Sequence, residues 1–276
     1  MALWKKKNKE LGSGTDEAEM SFLDHLEELR WHIMRSLISI VVVAIVVFLF
    51  RNIVFDKVIL GPTRDSFFTY RFFCDNLGLL CFGPQDLQLI TKELGEQFFC
   101  HIRVSLWLGL IVSFPLVFNE IWKFIKPGLH SKERKVTRGV VFTCSMLFIS
   151  GVSFGYFVVA PFAITFLSNY SVSPDIANTI TLRSLVSYMT MFTLPTGLVF
   201  ELPIVVFFLA KLGLLYPSMM RTYRKHSIII ILGLSAIITP PDVVTQFLIG
   251  IPLYILYEIS IIICARTNPD PKTTDS

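Results

Sequence analysis

Three polar residues, Asp24, Glu28 and His32, recur at four-residue spacing just before the first long apolar stretch of the chain. An α-helix turns by about 100° per residue, so these side chains fall on one face of the helix predicted over residues 21–35. An apolar stripe occupies a different face of the same helix and consists of Phe22, Leu26, Leu29 and Ile33. We therefore expect the helix to lie on a membrane surface and to hold carboxylates where a cationic ligand can reach them.

A second isolated acid, Glu133, follows a predicted helix cap at Ser131. On position alone, both Glu28 and Glu133 are explained as helix-start acids that the helix dipole favours without any ligand. Their joint occurrence at the cytoplasmic mouths of two predicted spans favours the alternative, a paired site for a basic group.

Glu201 lies near the middle of a predicted membrane span. A carboxyl group in hydrocarbon costs several kcal/mol unless it is paired, protonated or hydrated. The position therefore favours a polar lining or a proton-linked group over a purely structural role. Its predicted hydrogen-bond partner is Thr193, Thr196 or Gln246.

The last predicted span carries two further polar features. Glu258 lies toward its cytoplasmic end, where pairing with Arg266 or a loop lysine explains it adequately. Gln246 belongs to a small polar cluster with Asp242 and Thr245 at the opposite end.

Catalytic signatures are missing from the sequence. It contains no His-Glu-x-x-His, no Gly-x-Ser-x-Gly, no phosphate-binding glycine loop with lysine and no Cys-x-x-Cys. Its five histidines show no metal-ligand spacing. We therefore expect no enzyme, no metal or cofactor, and no ATP-driven pump.

Membrane-spanning helices must position these residues. Hydrophobic residues make up 53% of the 276 residues, more than a soluble domain of this size carries. A helix needs about 20 residues to cross a bilayer, and several apolar runs reach that length. Six spans are predicted, roughly at 32–51, 99–122, 138–168, 184–210, 223–239 and 243–264. The predicted fold is an all-α membrane protein, a concave bundle of six transmembrane helices.

The predicted fifth span is unusually short. Residues 227–239 give about 20 Å of helix, against a hydrocarbon core of about 30 Å. Pro240 and Pro241 then turn the chain, so spans five and six are expected to reach the outer face poorly. Local bilayer thinning or association with other helices relieves such a mismatch.

Basic residues set the predicted orientation. They cluster before the first span, between spans two and three, and between spans four and five. The stretches 169–183 and 239–242 contain a single basic residue, Arg183. The positive-inside rule therefore places both termini in the cytoplasm, and the long loop 52–98 weighs little in that rule.

The remaining segments flank or interrupt the bundle. Residues 1–20 are polar and are predicted to form a disordered cytoplasmic N-terminus, and residues 267–276 a short cytoplasmic tail. The aromatic-rich loop 52–98 is expected to pack as an extracytoplasmic cap. Within it, Cys74 and Cys81 either form a disulfide in an oxidising compartment or are two buried small residues.

Seven short motifs occur in order along residues 21–266. They are His25-Leu26-Glu27-Glu28-Leu29-Arg30, Phe124-Ile125-x-Pro127-Gly128-Leu129, Lys132-Glu133-Arg134, Tyr156-Phe157-x-x-x-Pro161, Phe200-Glu201-Leu202-Pro203, Thr239-Pro240-Pro241-Asp242 and Pro252-x-x-x-x-Tyr257-Glu258. Together they resemble the TatC family, the multispanning receptor of the twin-arginine protein translocase.

This resemblance implies a receptor in the bacterial inner membrane that binds folded proteins through signal peptides carrying paired arginines. It implies TatA- and TatB-like single-span partners, self-association in a larger complex, the protonmotive force as energy source and no nucleic-acid partner. Glu28 and Glu133 match the positions that hold the arginines. Further functionally sensitive family positions are matched by Leu29, Arg30, Pro62, Phe124, Pro127, Glu201, Asp242, Gln246 and Glu258.

Two features depart from the family pattern. Many members have a second basic residue after the motif arginine, whereas this chain has Trp31-His32. The loop 52–98 is also longer than in compact members.

Two other functions compete with this one. A proton-coupled small-solute transporter would use Glu201, although the sequence lacks the inverted repeats typical of that class. A structural anchor without a ligand would leave Glu28 and Glu133 dispensable.

Overall fold

The computed structural model describes residues 22–77, 89–125, 139–173, 179–239 and 243–270. Most of these residues are helical. The hydrocarbon of a membrane contains no water to bond backbone N–H and C=O groups, and a helix pairs these groups with one another. In chain order the α-helices are α1 (Phe22–Leu49), α2 (Arg51–Ile53), α3 (Phe68–Leu77), α4 (Glu96–Ile125), α5 (Val140–Phe154), α6 (Ala160–Asn169), α7 (Leu182–Val199), α8 (Leu202–Lys211), α9 (Pro217–Thr222), α10 (Arg224–Ile238) and α11 (Val243–Thr267). Shorter elements are π-helices at Val54–Ile59 and Gly155–Val159, a 3-10 turn at Gly61–Thr63, and strands β1 (Leu89–Ile90) and β2 (Ile180–Thr181).

Five helical stretches among the described residues are long and apolar enough to cross a bilayer. They are Glu27–Leu49, Glu96–Ile125, Val140–Asn169, Leu182–Lys211 and Val243–Thr267. The predicted fifth span corresponds to α10, whose 15 residues make about 22 Å of helix. The helix thus forms where the sequence predicts it and is as short as expected, while a sixth crossing stays a prediction.

Helix α1 packs antiparallel to α4. Near the middle of α1, Ala44 lies against Gly109, where an added Cβ would stand 2.8 Å from the Cβ of Ala44. Near the start of α1, His32 contacts Glu120 toward the end of α4. Small residues let helix backbones approach closely in a membrane, where burial of apolar surface gives little driving force. Much of the remaining surface of α1 is apolar and exposed, as a lipid-facing helix requires.

The buried centre of the bundle lies where the third and fourth spanning stretches meet. Gly155 opens a π-helical turn and packs directly on the backbone oxygen of Phe192 in α7. Helix α4 joins the same centre, because the indole Nε1 of Trp107 donates to Thr193 Oγ1 at 3.1 Å. The large side chains that are fully buried here include Phe148, Leu185, Met189 and Phe192.

Residues 54–77 pack against the start of α6, in agreement with the predicted cap. The hydroxyl of Tyr70 donates to the carbonyl oxygen of Pro62 at 2.8 Å and accepts from Thr165 at 3.2 Å. Tyr156 likewise donates to the carbonyl oxygen of Val58 at 2.7 Å. Burial raises the pKa of Tyr70 to about 12, so the hydroxyl remains a donor at neutral pH. Pro62 is therefore buried in a hydrogen-bonded corner.

The cysteines divide into two groups. Cys74 is disulfide-bonded, while Cys81, its predicted partner, lies outside the described residues, so that pairing stays a prediction. Cys100, Cys144 and Cys264 are free and buried, as packing residues within spans would be.

A two-residue parallel strand pair, which the sequence did not predict, links the cap region to the start of α7. Its register pairs Leu89 with Ile180 and Ile90 with Thr181. The buried carboxylate of Glu96 lies beside it and accepts backbone N–H groups of Lys92 at 2.7 Å and Arg183 at 3.0 Å. Glu96 thus satisfies a free amide at the beginning of α7 and ties α4 to it.

The close approach at Gly155 gives a test of the fold. We expect Gly155→Ala to destabilise the protein by about 1–3 kcal/mol, because its methyl group would overlap the Phe192 backbone. Gly233→Ala is the matched control, since nothing lies within 4 Å of the added methyl group. Thermal unfolding in detergent measures both, and equal melting temperatures for the two variants would contradict the described packing.

Candidate functional site

Glu28 is exposed in the first turns of α1 and forms no salt bridge with the described residues. Its neighbour Leu29 is partly buried and Arg30 is exposed. The helical structure and its continuation into the first span agree with the sequence analysis. Among the described residues, no cation therefore occupies the carboxylate of Glu28.

Below Glu28, one helical turn along α1, a polar cluster joins α1 to α4. Glu120 Oε2 bonds to His32 Nδ1 at 2.8 Å, and Glu120 Oε1 bonds to Lys123 Nζ at 2.5 Å. Arg35 Nη1 lies 3.8 Å from Glu120 Oε2. Glu120 has only 14% of its side chain exposed, whereas Arg35 has 62%. Glu120 was not among the residues predicted from the sequence. Its only local signal is that Lys123 follows it by three positions.

The antiparallel register places Glu28 level with Phe124. Positions 32 and 120 meet, and so do positions 44 and 109, so that each turn forward on α1 matches one turn back on α4. The rings of His32 and Phe124 also lie edge to face, with centroids 6.3 Å apart. Two residues singled out from the sequence thus lie at the same end of the helix pair.

Three predicted site residues lie outside the described part of the chain. They are Pro127, Glu133 and Asp242. The pairing of Glu28 with Glu133 consequently stays a prediction.

Glu201 lies between α7 and α8, with both carboxylate oxygens buried beside the thiol of Cys144 and without a salt-bridge partner among the described residues. The partners expected from the sequence are wrong. Thr193 and Thr196 donate to carbonyl oxygens one turn back in their own helix, and Gln246 donates to Leu232 O at 3.0 Å. A threonine in a helix readily bonds to the carbonyl four residues before it, which removes it as a partner.

Glu201 lines an apolar cavity of about 320 Å³ together with Cys144 and Lys211. Trp122 lines the same cavity, and its indole Nε1 is buried without a partner among the described residues. The surface of the cavity is apolar, so the polar atoms of Glu201 and Trp122 are covered and do not face it.

Glu258 is paired, but with a different cation from the one expected. Its Oε2 bonds to Arg224 Nη2 at 2.7 Å, and its Oε1 accepts from Tyr254 at 3.1 Å. The sequence predicted Arg266 or a loop lysine as the partner; Arg266 follows two turns later in α11 and forms no salt bridge with Glu258. Arg224, at the start of α10, thus neutralises Glu258 in place of the expected partner.

Comparison with known proteins identifies the family. A family model described as "Sec-independent protein translocase protein (TatC)" matches residues 24–252. This chain belongs to the TatC family. It is accordingly a multi-pass membrane protein of a protein translocase.

Individual relatives are similar over nearly their full length. The chain is 36% identical to a Sec-independent protein translocase protein TatC of Blattabacterium, over 90% of this chain and 96% of the relative. It is 34% identical to the TatC of Campylobacter jejuni, over 91% of this chain and 96% of the relative. A crystal structure of the twin-arginine translocase receptor TatC matches with a TM-score of 0.69 and 31% identity, covering 88% of this chain and 99% of the other.

The Glu120 cluster leads to a second test. We expect Glu120→Ala to destabilise the protein by about 1–3 kcal/mol, because it leaves the half-buried His32 without its partner. Lys123→Ala should cost less than about 1 kcal/mol, since that ammonium is half exposed and readily hydrated. Thermal unfolding of both variants measures the difference, and a larger loss for Lys123→Ala would show that the cluster does not hold α1.

Proposed function

We propose that this chain is the receptor and core subunit of a twin-arginine protein translocase. It binds twin-arginine signal peptides of folded precursors at the cytoplasmic face of the bacterial inner membrane. The observation that carries the proposal is the exposed Glu28, which has no salt bridge among the described residues and lies level with Phe124 at the end of the α1–α4 pair. Membership of the TatC family supports the same reading.

The proposed topology has six transmembrane helices with both termini in the cytoplasm. The short α10 would be the fifth crossing, made possible by local bilayer thinning or by contact with other helices. TatA- and TatB-like single-span proteins would be its partners, and the protonmotive force its energy source. The basic clusters between the predicted spans support this orientation.

Carboxylates at this position select arginine for a chemical reason. A guanidinium is a planar fork that can donate two parallel hydrogen bonds to one carboxylate, which the ammonium of lysine cannot do. In the proposed complex, Glu28 accepts from one arginine and Glu133 from the other. The apolar part of the signal peptide then lies against the helix faces.

Glu28→Gln tests this assignment without changing side-chain size. Hydrogen bonds to charged groups contribute about 1.5–3 kcal/mol each, so the variant should bind a twin-arginine peptide roughly 10- to 100-fold more weakly. The measurement is the Kd of a synthetic signal peptide for the purified protein. Glu133→Gln should show a similar loss.

Glu27→Gln is the matched control, since Glu27 is the exposed neighbour of Glu28 in the same helix. It should bind the peptide within about twofold of wild type. Replacing the peptide arginines by lysine should weaken wild-type binding more than binding to Glu28→Gln. The variant already lacks the contact between the Glu28 carboxylate and an arginine, so the lysine peptide removes less from it. Equal losses for Glu27→Gln and Glu28→Gln would refute the assignment.

Glu201 is proposed to act after binding, during transport. Glu201→Gln should reduce precursor transport at least tenfold and leave signal-peptide affinity within about twofold, because the carboxyl group is buried inside a span whereas Glu28 is exposed. Glu201→Asp keeps an acid and should retain part of the transport. Inverted membrane vesicles and peptide titration measure the two quantities, and equal loss of both would make Glu201 structural.

The buried Glu201, which has no salt-bridge partner among the described residues, also favours a second candidate, a proton-coupled small-solute transporter. Vesicles that contain this chain alone would then accumulate solute when a pH gradient is imposed, and Glu201→Gln would abolish the uptake. A receptor for protein precursors should show no such uptake.

A further inference from the structure

Arg103 is a charged residue within an apolar spanning helix. It follows Glu96, the first residue of α4, by seven positions, or about 10 Å along the axis. It is exposed on the surface of the bundle, within a stretch of suitable length and hydropathy to cross the membrane. Arginine in such a position is expensive unless it meets an anion or reaches the interface.

The guanidinium of Arg103 makes one hydrogen bond with the described residues. Nη1 of Arg103 donates to Ser187 Oγ of α7 at 2.9 Å. No carboxylate of the described residues lies within salt-bridge distance of Arg103. A guanidinium carries five N–H donors, so several remain available for another acceptor.

Arg103 lines a cavity of about 490 Å³ that also contains Arg183. Two acids border the cavity, but both are engaged. Glu96 accepts backbone amides, and Glu93 Oε1 lies 3.4 Å from Arg183 Nη1. The cavity therefore offers one guanidinium without an anionic partner and a second at its edge.

The wall of the cavity is apolar and faces outward. Phe99 has 69% and Leu106 has 49% of its surface exposed, and both belong to the spanning helix α4. A free anion would gain nothing from this wall. A ligand with an anionic head and hydrocarbon chains would satisfy Arg103 and cover Phe99 and Leu106 at once.

We propose that Arg103, supported by Arg183, binds the phosphate group of a membrane phospholipid on the side of the bilayer where α4 begins. The guanidinium donates to the phosphodiester oxygens while an acyl chain lies along Phe99 and Leu106. Arginine suits this task because its fork matches the geometry of phosphate. The site lies at the opposite end of α4 from Glu120 and is independent of the proposed receptor function.

The test is thermal unfolding of the purified full-length chain in detergent with three additives. Phosphatidylglycerol should raise the melting temperature of wild type by several degrees, because a ligand that binds only the folded state stabilises it. Diacylglycerol, which lacks the phosphate, and inorganic phosphate, which lacks the chains, should each give at most a third of that shift. A full shift with either alone would overturn the proposal.

Arg103→Gln should lose most of the phosphatidylglycerol shift and need at least tenfold more lipid for the same effect. Arg103→Lys should retain an intermediate shift, since it keeps the charge but not the fork. Arg71→Gln is the matched control, because Arg71 is exposed in α3 outside the spans, and it should respond like wild type. An unchanged shift in Arg103→Gln would overturn the proposal.

A measurement on wild type covers the case in which Arg103→Gln does not fold. Phosphatidylglycerol with a photoreactive head group should label peptides that contain residues 99–106 and 183–187 above all others. Labelling spread evenly over the spanning helices would overturn the proposal. So would capture of Arg103 by a carboxylate of a single-span partner protein with no lipid adduct there.

Discussion

Hydrocarbon tolerates few unpaired charges, and that constraint explains how the spanning helices of this chain are arranged. Glu120 is held among His32, Lys123 and Arg35, and Glu258 is held by Arg224. Each of these pairs joins two different helices or stabilises a helix end near the membrane surface. Glu201 and Arg103 also lie in spanning stretches, form no salt bridge with the described residues and line cavities, and we propose a role for each.

Close backbone contact supplies the remaining cohesion. Gly109 admits Ala44 between α1 and α4, and Gly155 admits the backbone of Phe192 between the third and fourth spanning stretches. Lipid tails solvate apolar side chains well, so packing between helices depends on such close fits. Large exposed apolar residues on α1 and α10 suit contact with lipid or with other membrane helices.

The helices were predictable from the sequence because hydropathy over about 20 residues is a local property. The short α10 was predictable for the same reason, since Pro240 ends the apolar run. The partners of the charged residues could not be predicted from the sequence. Glu120 meets a histidine 88 positions away, and no local spacing reveals that contact.

Three further features were predicted wrongly or not at all. Thr193 and Thr196 were expected to bond to Glu201, but each bonds to the carbonyl four residues before it. The two-residue pair of β1 and β2 was not foreseen because strands so short leave no periodic pattern. Arg183, assigned only a role in orientation, turned out to join Glu93 and Glu96 at the start of α7.

The departure at Trp31-His32 has a consequence for the candidate site. Trp31 is 59% exposed, while His32 turns to α4 and bonds to Glu120. His32, Arg35 and Lys123 all contact Glu120, one turn below Glu28. Charges already engaged by one carboxylate neutralise another less effectively. Glu120, which the sequence motifs do not mark, thus competes with Glu28 for these three groups.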